Sequence, residues 1–149
     1  MMMLHTYLRS GIVYIPTVAK LTTGAYLDVD PVVVESVANA MGLHRAFLET
    51  NARKNPIISP PPKGKWPPPV LMKYTRVKSW SAFARGASMW SIGDERGHYQ
   101  IIGYRDHPDG YWVPDPDQTI NLPLDSPIAA VIDRMIDVLQ KAARGNIGN

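Results

Sequence analysis

The apolar positions of this chain change period along its length, and the changes mark out its elements. Leu4–Ser10 and Gly11–Lys20 are rich in Val, Ile, Tyr and Thr, as strands are. In Ile12-Val13-Tyr14-Ile15 both parities are apolar, which predicts a strand covered on both faces. Thr22-Thr23-Gly24 is a turn signal. Ala25–Asp30 then alternates: Leu27 and Val29 point one way, Tyr26, Asp28 and Asp30 the other, as in a half-buried strand. Pro31 is expected to break it, and Val32–Val37 to form a further short strand. Asn39 can cap a helix running to about Asn51, with Leu43, Phe47 and Thr50 on one face beside Ala40 and Ala46.

Val70–Tyr74 reads as a strand. Trp80, Phe83, Ala84 and Ala87 sit at helical spacing behind Ser79, which predicts a short capped helix. Met89–Ile92, His98–Arg105 and Tyr111-Trp112-Val113 form a three-stranded meander, joined by Gly93–Gly97 and the His107-Pro108-Asp109-Gly110 turn, and closed by Asp115-Pro116-Asp117. The last element is the most regular. Ser126 and Pro127 open a helix whose Ile128, Val131, Ile132, Met135, Ile136 and Leu139 form one apolar stripe. Asp137 and Lys141 make a favourable i, i+4 pair, and Gly145 ends the helix. Short turns between strands call for a mainly antiparallel sheet. The expected class is α+β, with two main helices and the amphipathic C-terminal one packed on the sheet.

Length and composition narrow this further. A chain of 149 residues, 45% hydrophobic and 19% charged, suits a single domain with one sizeable core. It has no cysteine, which excludes disulfides, thiol catalysis and cysteine zinc sites. No apolar run approaches the roughly 18 residues of a membrane span. Met1-Met2-Met3-Leu4-His5 lacks a basic region followed by an apolar stretch, so a cytoplasmic protein is expected.

Charge is unevenly spread. The net charge is only +3, yet residues 51–85 hold Arg53, Lys54, Lys63, Lys65, Lys73, Arg76, Lys78 and Arg85 and no acid. Blocks of one sign favour a partner of the other. The same segment carries SPPPKGKWPPP, a proline-rich loop at about 56–69 that can be neither helix nor central strand. Trp66 at its centre either tacks the loop onto the core or is displayed for recognition. Cations interleaved with rings around Lys73, Tyr74, Arg76, Lys78 and Trp80 are also what single-stranded nucleic acid requires, so Lys73, Arg76, Lys78 and Arg85 are the candidates for that alternative.

The chain carries no coherent catalytic motif. His5, His44, His98 and His107 form no HxH, HExxH or HxxxH pair, so no metal site is expected and each reads as a surface or cap residue. His98, Asp106, His107 and Asp109 surround one hairpin, but turn chemistry explains them without an acid–base role. The serines make no GxSxG or SxxK, and the glycines no GxGxxG or P-loop. No cofactor is expected.

The strings VKSWSAFARGASMWSI and YQIIGYRDHPDGYW, within Val77–Trp112, resemble small bacterial proteins encoded beside toxins, specifically the immunity proteins of contact-dependent growth-inhibition systems. The resemblance implies a cytoplasmic, non-enzymatic inhibitor that plugs the active site of a cognate toxin; it carries no binding residue across. Immunity proteins to nucleases are often acidic, whereas this chain is net basic. Either the acidic segment Asp94–Asp137 makes the contact or the toxin is not a basic nuclease. On the residues themselves, Asp94–Asp117 combines six carboxylates with Tyr99, Tyr104, Tyr111 and Trp112. Rings anchor interfaces and rim carboxylates steer a basic partner. Asp106, Asp109, Tyr111 and Trp112 are therefore the expected partner-binding residues, with Trp66 the next candidate.

Overall fold

Ile12–Leu21 (β2) is apolar on both parities because it lies inside the sheet with a layer on each face. The structure is a computed structural model and describes residues 2–106 and 111–147. Its other strands are Met3–Arg9 (β1), Tyr26–Ser36 (β3), Ile57–Ile58 (β4), Ala87–Gly93 (β5), His98–Asp106 (β6) and Trp112–Pro123 (β7). The helices are Ala40–Ala52 (α1), Trp80–Arg85 (α2) and Ile128–Ile147 (α3). The sheet order is β3-β2-β1-β5-β6-β7, antiparallel throughout, with β4 added parallel to β2. The fold is α+β, with α3 packed on the sheet.

One face carries the main core. Leu4, Leu8, Val13, Ile15, Trp90 and Ile101 pack with Leu43 and Phe47 of α1 and with Val131, Ile132, Met135 and Leu139 of α3. The other face presents Tyr7, Tyr14 and Met89, which are covered by Leu71 and Phe83. Residues between the proline loop and β5 thus form a thin third layer. All eight basic side chains of residues 51–85 are exposed, because the segment buries only its apolar positions.

Several local expectations hold for the expected reasons. The Asn39 side chain accepts from Gly42 N (3.0 Å) at the start of α1, and Ser79 from Ala82 N (3.1 Å) at the start of α2. Asp137 and Lys141 pair at 2.9 Å on α3.

Others are corrected. Pro31 does not end the strand. The β2–β3 register jumps between Pro16↔Val32 and Thr17↔Val29, leaving Asp30 and Pro31 in a bulge on an edge strand, where a missing N–H costs no ladder bond. Val70–Tyr74 is not a strand. Val70–Lys73 is a 3₁₀ turn with Met72 N bonded to Pro69 O (3.0 Å) and Tyr74 N to Leu71 O (2.9 Å). No strand edge pairs with it, and β propensity does little without a partner. Asp115-Pro116-Asp117 does not close the meander; it is a bulge inside β7, because Thr119 pairs with Ile102 while Pro114 pairs with Tyr104. Asp115 caps that bulge by accepting from Asp117 N (3.1 Å) and Gln118 Nε2 (2.9 Å). Gln118 folds over Gly103, where a Cβ would meet it at 2.6 Å, so Gly103 is the residue that admits the bulge. Ala40 is exposed rather than on the buried face of α1, and α3 runs past Gly145 to Ile147.

Asn55 is a structural residue that sequence reading missed. The β1–β2 pairing covers Tyr7–Arg9 against Ile12–Tyr14 and stops before Pro16, which has no N–H to give. In the gap Asn55 accepts from Met3 N (3.0 Å) and donates to Met3 O and Val18 O (2.8 Å each). Its side chain replaces the missing ladder and leads the chain into β4. Asn55→Ala should therefore lower stability by about 1–3 kcal/mol, since three main-chain groups lose their partner. Urea unfolding would measure it; an unchanged midpoint would show that water replaces the amide at no cost.

Candidate functional site

Strand alternation places His5 and Tyr7 of β1 and Tyr26 and Asp28 of β3 on the thinly covered face. Here the sheet is not filled by apolar side chains. Asp28 is the hub: His5 Nδ1 donates to Oδ1 (2.6 Å) and Tyr7 OH to Oδ2 (2.6 Å). The side chains of His5 and Asp28 are only 15% and 18% exposed. Burial first, and then the Asp28 carboxylate beside it, push the Tyr7 phenol well above its ordinary range. At the rim Tyr26 OH donates to Glu95, on the β5–β6 turn. Desolvation and that carboxylate raise its phenol to about 12.

Two cavities flank the Pro67–Pro69 strap and share Asp28. The smaller, about 300 Å³, is walled by Tyr7, Tyr26, Leu71 and Trp80. The larger, about 510 Å³, is walled by Val29, Val70, Met72 and the Asp30–Lys73 pair. Asp30 accepts from both Lys73 and Tyr74, and these bonds hold its carboxyl below the usual carboxylate range. Further along the same face, Ser91 and Tyr104 share a hydrogen bond (3.0 Å) beside a third hollow of about 170 Å³.

The Tyr7 and Tyr26 phenols give the face an alkaline limit. An unfolded tyrosine loses its proton near pH 10. Both folded phenols hold theirs to higher pH, so above pH 10 the folded state binds more protons and stability falls as pH rises. The contribution is fully present below pH 10; for Tyr26 it is lost as pH climbs to about 12. Tyr7→Phe should remove part of this alkaline slope. At neutral pH it should cost about 1.5–3 kcal/mol for the lost bond to a carboxylate. Melting temperatures from pH 8 to 11.5 check both effects, and an unchanged alkaline slope would exclude Tyr7 as its source.

The residues singled out from the sequence fall into separate places. Asp106 is exposed and lies opposite Trp112 across the β6–β7 pair. Tyr111 is exposed, whereas Trp112 is half-buried with its ring edge-on to Tyr7 (6.5 Å between centroids). Asp109 lies outside the described residues, as do His107, Pro108 and Gly110. Trp66 is 53% exposed, so it does not tack the loop to the core; Leu71 and Phe83 do that. Of the nucleic-acid candidates, Arg76, Lys78 and Arg85 are exposed, while Lys73 is ion-paired with Asp30. Contrary to the expectation of a surface or cap residue, His5 is a mostly buried partner of Asp28. Alternation in Tyr26–Asp30 hinted at a polar face; nothing in the sequence joined it to β1. Among the described residues no cluster of three His, Asp or Glu could hold a metal ion, and no helix is long and apolar enough to cross a membrane.

No family model matches this chain, and no curated protein matches it in sequence. Solved structures do share its fold. A protein of unknown function from Neisseria meningitidis superposes with a TM-score of 0.66 at 13% identity, covering 95% of this chain and 94% of that one. A chain of the CdiA-CT/CdiI toxin and immunity complex from Yersinia pseudotuberculosis does so with a TM-score of 0.65 at 11% identity, covering 93% and 95%. The likeness therefore spans both layers and the thin covering segment, not one motif.

Proposed function

We propose that this chain is an immunity protein: a cytoplasmic, non-enzymatic partner that neutralises a cognate bacterial toxin of a contact-dependent growth-inhibition system by binding it. The observation that carries this reading is the fold shared along nearly the whole chain with a component of a toxin and immunity complex. The resemblance of Val77–Trp112 to immunity proteins supports it, and these residues run through α2, β5 and β6 to the start of β7. The toxin-facing surface in this reading is the acidic, aromatic end of β6 and β7, with Asp106, Asp109, Tyr111 and Trp112, and the displayed Trp66 as its next candidate. Carboxylates there would steer a basic toxin, and the rings would anchor it.

The test is co-expression with the toxin domain encoded beside this gene, read by growth and by co-purification. Protection is expected from the wild-type chain and should be weakened by Trp112→Ala and by Asp106→Ala, each checked for folding by its melting curve. Failure of the folded wild-type chain to bind or protect would refute the reading. So would tight, salt-sensitive binding of single-stranded DNA or RNA that disappears in a Lys73→Ala, Arg76→Ala, Lys78→Ala triple variant.

A further inference from the structure

We propose that the paired cavities around Asp28 are a receptor for an arginine side chain presented by a protein partner. This holds whatever the partner's activity, and it does not depend on the immunity reading. Asp28 is the starting point. Its carboxylate is mostly buried, yet its two hydrogen-bond donors are an imidazole and a phenol, neither a permanent cation. A carboxylate accepts about four hydrogen bonds, and His5 and Tyr7 use two of them. Asp28 lines both cavities.

The walls suit the rest of an arginine. Pro67–Pro69, Val70 and Met72 offer an apolar channel for the methylene stem, which favours such surfaces while its charged head is held elsewhere. Tyr26 and Trp80 line the smaller cavity and supply rings for a cation, as Tyr26 already does for Lys20, whose Nζ lies 6.0 Å from its centroid. Charge selects the occupant. The cavities are lined by Asp28 and Asp30, and Glu95 accepts from Tyr26 at the rim; the cations beside them are Lys73, paired with Asp30, and Lys20, over the Tyr26 ring, while the His5 imidazole is bound to Asp28. An anion would face the Asp28 and Glu95 carboxylates, and a neutral apolar group would desolvate Asp28 and return nothing. A planar guanidinium can bind a carboxylate with two parallel bonds and stack on a ring at once; an ammonium acts as a point charge and cannot do both.

The experiment titrates N-acetyl-arginine methylamide into the folded chain and follows the His5 imidazole by NMR. The same titration is run with N-acetyl-citrulline methylamide, a neutral analogue of nearly the same shape, and with N-acetyl-lysine methylamide. A saturable His5 shift is expected with the arginine probe. Affinity should be about tenfold lower for citrulline and intermediate for lysine, since most of the gain lies in the charge-assisted fork. Asp28→Asn should lose about the same factor as citrulline. Because that variant also disturbs Tyr7, Tyr26→Leu provides a second reading: it removes a ring at the rim and should weaken the arginine probe about threefold, the size of an exposed cation–π contact. Equal binding of citrulline, undiminished arginine binding in both folded variants, or no saturable shift in the wild type would each overturn the proposal.

Discussion

Ile132→Asp should leave no cooperative unfolding transition at 25 °C. Ile132 has no exposed surface and sits in the middle of the α3 stripe, within the cluster that joins α1, α3 and four strands. Removing the buried isoleucine forfeits roughly 1.5–3 kcal/mol of transfer free energy. The introduced carboxylate costs more, because it must either stay charged without a partner or take up a proton and remain an unsatisfied polar group. Together these losses approach the roughly 5–15 kcal/mol that holds a domain of this size together. Ile132→Val keeps shape and polarity and should cost only about 0.5–1.5 kcal/mol. Far-UV circular dichroism during urea titration separates the two variants. A native-like melt of the aspartate variant would mean that α3 lies on the sheet without holding it.

Phe83→Ala should act on the other face and in a different way. Phe83 is fully buried, stacked on Trp80 (5.3 Å between centroids) and edge-on to Tyr14 (5.5 Å) and Tyr7 (6.4 Å). Truncating a buried phenylalanine costs about 3–5 kcal/mol. A six-residue helix such as α2 has almost no stability of its own, so it stays in place only through the side chains it buries. The loss should therefore fall first on the covering layer. Trypsin should cut at Lys63, Lys65, Lys73, Arg76 or Lys78 much faster than in the wild type, while the α1 and α3 face remains protected. If the tryptic pattern were unchanged, the layer would be held by something other than Phe83. This variant also bears on the Asp28 cavities, whose proline wall belongs to the same layer.

Much of the fold could be read from local pattern. The period of α3, the caps at Asn39 and Ser79, and the two-sided apolar character of β2 are consequences of nearest neighbours along the chain. A helix stripe or a capping oxygen works within four residues of itself. The misreadings share one cause: each concerned a residue whose state depends on what lies beside it in space. Pro31 and Asp115-Pro116-Asp117 carry turn chemistry, and they do turn, but inside continuing strands because β2 and β6 supply pairing on either side of the bulge. Val70–Tyr74 has strand composition but no strand edge to join, and Leu71 serves instead as a plug over Tyr7 and Tyr14.

The candidate site was the least legible part, because its residues lie on two strands with a third between them. His5 and Asp28 are 23 positions apart and meet only because β2 places β1 and β3 on its two sides, with matching faces. Periodicity within each strand placed Asp28 on the polar side of β3; it could not say which histidine would be opposite. The sequence alone determined most of the elements, the amphipathic helix and the displacement of basic charge into one proline-rich segment, all of which follow from short-range sterics and hydrophobic period. Only the tertiary structure decided that this segment covers the second sheet face, that Trp66 stays outside it, and that a mostly buried carboxylate is left beneath with two cavities beside it. Those outcomes depend on sheet order, and sheet order is set by the packing of distant strands against one another.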